Sequence, residues 1–315
     1  KRLYIYFGSG SNTVNQQAFE LSRHVPDYLP TKYWASTVSS AHNTIFVVSG
    51  NSPSNTLFCY RNQIANEQIV QNAFFKFTLG GKIHAIKAIE DDLYIVTESL
   101  FESTSGGFRL QLQKISLIPD DIDIPRLDNR VNTTVSTSYD ASTNKTTFTL
   151  PTESVLTGID QLIVNSPSSL RGIIIDVTME NQNTVSGIGN YSAVTEVVAG
   201  TKYTASVTLS DIFVREEENN VVPGTLNLRY GILRHHKTGT YAVNVTRKNR
   251  TTTPYTFEPT VIGSAYSMTD SDVNDTNGIF KFPIMGFTDD IDISISSSFP
   301  YPMNITNIEI TGKFK

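Results

Sequence analysis

The chain has 315 residues, 39% of them hydrophobic and only 17% charged, enough for two or three domains of ordinary size with real cores. This composition excludes a disordered chain, and no apolar run approaches the roughly 20 residues of a membrane-spanning helix. A net charge of -5 gives no basic footprint for tight nucleic-acid binding. The single cysteine, Cys59, excludes an internal disulfide, so the fold rests on packing and is compatible with assembly in a reducing cytoplasm.

The chain opens Lys1-Arg2-Leu3-Tyr4-Ile5-Tyr6-Phe7, without an initiator Met or a signal-peptide pattern. It begins as though already inside a strand. We therefore expect a processed chain or a piece of a longer one.

Strand signals come next, in runs rich in Val, Ile, Thr, Tyr and Phe punctuated by Gly, Asn, Asp, Ser and Pro. The clearest are Thr44-Ile45-Phe46-Val47-Val48, Leu57-Phe58-Cys59-Tyr60, Leu93-Tyr94-Ile95-Val96 and Phe108-Arg109-Leu110-Gln111-Leu112. Asn62 to Ala73 places Ile64, Ile69, Val70 and Ala73 loosely at helical spacing. Elsewhere helix signals are scarce, and the predicted class is all-β.

Two stretches resemble copies of one another. The first runs through Tyr33–Thr37, Ile45–Ser49, Leu57–Tyr60 and Phe74–Thr78. The second runs through Ile83–Lys87, Leu93–Thr97 and Arg109–Ile115, with equivalent strands about 45 to 50 residues apart. That spacing suits four-stranded propeller blades, so 33–79 and 81–117 are expected to form successive antiparallel sheets about a common axis. Two blades cannot close a ring, and the remainder would come from missing sequence or an open arrangement. Ordinary meanders are the plainer alternative.

After Pro125-Arg126-Leu127-Asp128 the composition shifts. Val131–Ser136 is expected to return through Lys145–Leu150 as a hairpin, its turn being Asp140-Ala141-Ser142-Thr143-Asn144. Strands are predicted at Gly172–Val177, Lys202–Val207, Leu226–Tyr230 and Tyr241–Val245, with a turn-rich stretch from Glu216 to Gly224, and this pattern suits a sandwich. In the tail, Ile291, Ile293 and Ile295 share one face and Asp292, Ser294 and Ser296 the other. The expected organisation is thus partial β-propeller blades over 1–128, a β-sandwich-like domain over 129–258, and C-terminal strands over 259–315 closing back on the body.

The search for chemistry finds little. The histidines are His24, His42, His84, His235 and His236, and the adjacent pair would point to opposite faces of a strand. No His-Glu-x-x-His, paired cysteines, phosphate loop or Gly-x-Ser-x-Gly elbow occurs. Gly80-Gly81-Lys82 lacks the spacing of a P-loop, and Gly187-Ile188-Gly189 lacks a third glycine. Asp120-Asp121-Ile122-Asp123 and Asp289-Asp290-Ile291-Asp292 repeat an acidic pattern, but neither has the glycine and spaced ligands of a calcium loop. Turn residues opening an alternating strand explain them. The Asn-x-Ser/Thr triplets at Asn132, Asn144, Asn190, Asn244 and Asn304 carry no weight in a chain this rich in Asn and Thr. No catalytic, cofactor-binding or metal-binding residue is assigned, and the chain is read as a non-enzyme without cofactors.

Gln68-Ile69-Val70-Gln71-Asn72-Ala73-Phe74-Phe75-Lys76-Phe77-Thr78, Gly80-Gly81-Lys82-Ile83 and Asp92-Leu93-Tyr94-Ile95-Val96 resemble the tail tubular protein B family, the nozzle proteins of short-tailed phages. Members typically carry Trp where this chain has Phe74 and Phe77. The resemblance continues through Leu112–Leu117 and Leu127–Arg130, and through Gly278–Ile284 and Phe299–Thr306; Thr311-Gly312 departs from it where relatives often have an aromatic. It implies a virion tail protein assembled in the host cytoplasm, a hexamer below the portal and adaptor tail tubular protein, and a distal tube that holds tail fibres. Duplex DNA would pass through without being read. The alternative is a receptor- or glycan-binding adhesin module using Tyr33, Trp34 and Tyr60. A capsule hydrolase comes third and needs a carboxylate pair that the sequence does not place.

Overall fold

A computed structural model describes residues 4–7, 17–20, 25, 28–29, 32–50, 52–65, 68–100, 108–118, 125–151, 158–181, 183–215, 221–222, 224–259 and 277–315. The chain divides into two compact units, 1–120 and 121–315. Strands dominate both, and among the described residues the only helical pieces are single 3-10 turns.

In the first unit, β1 (Tyr4–Phe7) and β2 (Gln17–Glu20) form an antiparallel pair. Six strands then follow: β3 (Tyr33–Ser39), β4 (Thr44–Ser49), β5 (Ser54–Ala65), β6 (Gln68–Ile89), β7 (Asp92–Leu100) and β8 (Phe108–Ser116). They pair antiparallel in chain order, as a meander. Alternation sets their faces: Phe46 and Val48 of β4, Leu57 and Cys59 of β5, and Leu93 and Ile95 of β7 point into one core.

The two segments expected as separate sheets are joined in a single ladder, and β6 is the reason. Its first half pairs with β5 from Gln68 to Thr78, its second half pairs with β7 from Lys82 to Ile89, and Ile83 is also paired with Ser54 of β5 across a register shift. The partner changes at Gly80-Gly81, where a Cβ on Gly81 would run into the carbonyl of Glu98. A blade-like meander of β3, β4, β5 and half of β6 thus passes without a break into β7 and β8. The ladder also curls: the Trp34 indole N–H on β3 donates to the His84 carbonyl at 2.8 Å, and Ala88 N–H donates to Thr37 Oγ1 at 3.0 Å. Both bonds tie an outer strand to the second half of β6.

The internal repeat survives at the level of backbone conformation. Asn43 (φ +48°), the last residue of the β3–β4 turn, and Glu90 (φ +52°), the first of the β6–β7 turn, both adopt the left-handed region. The segment Asn62 to Ala73, loosely helical in spacing, instead supplies the arms of the β5–β6 hairpin, with Ile64 opposite Ile69 and Asn62 opposite Asn72. Apolar residues facing each other across a hairpin imitated a helical interval.

The second unit begins with β9 (Asp128–Thr134), β10 (Ser136–Asp140), β11 (Lys145–Thr149), β12 (Gln161–Ser166), β13 (Ile174–Asn181), β14 (Thr184–Ile188) and β15 (Glu196–Thr201). Their spatial order is β10-β11-β14-β13-β12-β15-β9. The outermost strands, β9 and β10, are separated in sequence by Val135 alone, so the sheet must roll over to bring its ends together. Its interior holds Phe148, Leu162, Val164, Ile175, Val185 and Val197. The expected Asp140–Asn144 turn is present, but only Ser136–Asp140 pairs with Lys145–Thr149; residues before Val135 leave to pair with β15.

β16 (Ala205–Thr208), β17 (Leu226–His235), β18 (Tyr241–Arg247), β19 (Thr253–Phe257), β20 (Gly278–Phe287), β21 (Ile291–Ser297) and β22 (Ile305–Phe314) complete the unit. They make a four-stranded sheet, β16-β21-β18-β19, and a three-stranded one, β20-β17-β22. Val243, Val245, Ile293 and Ile295 of the first meet Leu228, Leu233, Phe282 and Ile284 of the second in one core, which is a sandwich. The predicted alternation in β21 holds, since Ile291, Ile293 and Ile295 are buried. The all-β class, with blade-like and sandwich-like parts, is the architecture observed.

Candidate functional site

Among the described residues the histidines are dispersed, and three of them have side-chain partners. His42 Nε2 lies 2.9 Å from Asp91 Oδ1, and His84 Nε2 lies 2.8 Å from Glu98 Oε2. His235, the last residue of β17, is buried; its Nδ1 is 2.9 Å from the Tyr241 hydroxyl and its ring centroid is 4.3 Å from that of Phe257. Burial lowers its pKa below the usual 6.5. His236 follows in a bend, and His24 lies outside the described residues. Cys59 is buried in the first core, and desolvation pushes its thiol pKa up.

Asp289 and Asp290 occupy the 3-10 turn Thr288–Asp290 that leads into β21, in the turn role the sequence suggested. Lys248 Nζ is 3.7 Å from Asp290 Oδ1. The other acidic group, Asp120 to Asp123, lies outside the described residues. Among the described residues no three His, Cys, Asp or Glu side chains come together as metal ligands.

The aromatics considered for sugar stacking separate. Tyr60 is only 4% exposed and packs on Phe74 at 4.8 Å between centroids. Tyr33 and Trp34 are exposed, Trp34 lying where the β3–β4 register shifts, but its indole N–H is committed to the His84 carbonyl.

The dense basic run Arg247-Lys248-Asn249-Arg250 starts at the last residue of β18 and continues into the turn that follows, and Arg247 is half-buried. Its Nε and Nη2 donate to the Ile284 carbonyl at 3.1 and 2.6 Å, and Nε also reaches the Met285 carbonyl at 3.2 Å. Those carbonyls belong to a bulge in β20, where pairing with β17 jumps between Pro283 and Gly286. Sequence reasoning missed this place, because no glycine or asparagine marks its left-handed residue, Met285 (φ +52°).

Among the described residues the surface offers sheet faces and edges. On the outer strand β8, Leu110 and Leu112 are exposed, and at the bulged end of β20 so are Met285 and Phe287. Exposed apolar side chains on sheet edges are the surfaces through which β proteins assemble.

Among the described residues the chain is all-β, with apolar side chains exposed on its sheet edges. A family model described as Bacteriophage nozzle protein matches residues 1–315, and the chain belongs to that family, a component of the virion tail. It is similar to "Tail tubular protein gp12" of Escherichia phage T7, 23% identical over 159 residues. The match covers 48% of this chain and 19% of that relative, so the chain spans well under two thirds of the relative's length. A solved structure of SGBP-B from a complex xyloglucan utilization locus in Bacteroides uniformis aligns at 10% identity with a TM-score of 0.17, over 88% of this chain and 99% of that one.

Proposed function

We propose that this chain is a non-enzymatic subunit of the tail nozzle: six copies enclose a tube through which the genome is ejected, beneath the adaptor and beside the tail fibres. The observation that carries this reading is the family match over the whole chain. Similarity to a protein named for a tubular tail part supports the tube. Surface chemistry agrees. The chain has 25 basic against 30 acidic residues, and in its densest basic run the Arg247 guanidinium is held by backbone carbonyls of β20. A wall that gripped phosphates would slow a moving duplex, whereas a weakly acidic one lets it slide.

Negative-stain microscopy of the purified chain tests the assembly. Six-fold rings are expected; monomers that bind glycan arrays would move the protein to the adhesin class. A gel-shift titration at about 150 mM salt should show only weak, sequence-independent affinity for duplex DNA. Nanomolar sequence-specific binding contradicts the conduit.

A further inference from the structure

The three-stranded sheet of the second unit carries a feature the nozzle reading leaves unused. Between Leu228 and Tyr230, β17 shifts register against both β20 and β22. Opposite this shift Met285 adopts left-handed backbone and is 70% exposed. A non-glycine residue is uncommon in that conformation and persists where its surroundings over-determine it. Arg247 supplies the constraint by holding the carbonyls of Ile284 and Met285.

The bulge borders an open groove of about 800 Å³, whose lining includes Arg229, Tyr230, Lys281, Pro283 and Met285. Lys281 Nζ stands 3.8 Å from the centre of the Tyr230 ring. Among the described residues the lining is mostly apolar; its charged members are Arg229 and Lys281, and no carboxylate is among them.

We propose that this groove docks an extended acidic segment of a partner protein. A carboxylate of the segment faces Arg229 and Lys281, while a neighbouring apolar side chain covers Pro283 and Met285. Charge complementarity selects the anion, since the groove presents cations with no acid of its own. Its openness selects a chain over a small acid, because a free small molecule would bury little of its surface there. A nucleic-acid backbone is a poorer occupant: it seeks rows of cations and gains nothing from an apolar floor.

Fluorescence anisotropy tests the proposal with the full chain and a labelled short peptide that alternates glutamate with leucine. The acidic peptide should bind, and its glutamine-for-glutamate counterpart at least about tenfold more weakly. Arg229→Glu with Lys281→Glu should cost at least about tenfold, the milder pair Arg229→Gln with Lys281→Gln should weaken binding in the same direction, and Lys145→Glu on β11 should leave it unchanged. Failure of the acidic peptide to bind overturns the proposal, as does equal loss in the Lys145→Glu control. Tighter binding of a labelled single-stranded oligonucleotide, abolished by the same charge reversals, overturns it in favour of nucleic acid.

Discussion

His42 and Asp91 join two turns of the first unit, the one between β3 and β4 and the one between β6 and β7, through a 2.9 Å contact from Nε2 to Oδ1. The same place receives two backbone bonds, from Asn62 N–H to the Asn43 carbonyl and from Leu117 N–H to the Asp91 carbonyl. Repeated turns are thus fastened to each other at one end of the ladder. The Asp91 side chain is 53% exposed, so solvent screens much of the interaction. A double-mutant cycle of His42→Ala and Asp91→Ala, read by urea denaturation, should give a coupling below about 1 kcal/mol. A much larger coupling would mean that the contact organises the fold rather than trimming it.

Gly81 is a stronger constraint. Its place is set by space, since any Cβ there meets the backbone of Glu98, which cannot move aside as a side-chain tip would. Gly81→Ala should destabilise the first unit by about 2 to 3 kcal/mol, in the range of overpacking substitutions. Gly80→Ala is the comparison, and equal stability losses at both positions would remove the special role of Gly81. Thermal melts of both variants decide it.

These two positions also show what the sequence could and could not tell. Individual strands were legible wherever one face is buried, as in Thr44–Ser49 with its alternating exposure or in Ile291, Ile293 and Ile295. Turn chemistry was legible at Asp140, whose carboxylate accepts from Ser142 and Thr143. Strand partners were not. Nothing local announces that residues 128–134 leave a plausible hairpin to pair with β15, because that choice depends on residues far along the chain. Gly80-Gly81 reads as a break between strands, yet the structure uses it inside one strand, at a change of partner. The groove beside Met285 was invisible for a related reason: its left-handed backbone is held by Arg247, from a different strand, and the left-handed residue is Met285 rather than the neighbouring Gly286.

The sandwich core should weaken in mild acid through His235. Burial lowers its folded-state pKa, so below about 6.5 the unfolded chain binds the proton more readily than the folded one. Stability of the second unit is then fully present above that value and declines as pH falls through the lowered folded pKa. Urea midpoints measured across this window should fall for the natural chain. His235→Gln keeps a partner for the Tyr241 hydroxyl without titrating, and it should flatten that part of the profile. An unchanged slope in the variant would assign the effect to other groups.

Cys59 offers a probe of opening in the other unit. The thiol is buried and its pKa is raised, so the reactive thiolate is scarce and out of reach. Reaction with an aromatic disulfide reagent should be slow in the native protein and rapid in denaturant, with a native rate that tracks unfolding of the first unit. Prompt labelling without denaturant contradicts the buried placement.

A strand of 22 residues shared between two halves of a ladder has a mechanical meaning. Tension applied to β3, β4 and β5 reaches β7 and β8 through covalent backbone, without having to cross a loop that could yield first. Before Gly80-Gly81 the strand pairs with β5 and after it with β7, while Ile83 is paired with both, so the two ladders overlap at the change of partner. Such a beam hands a load applied to one half of the ladder directly to the other.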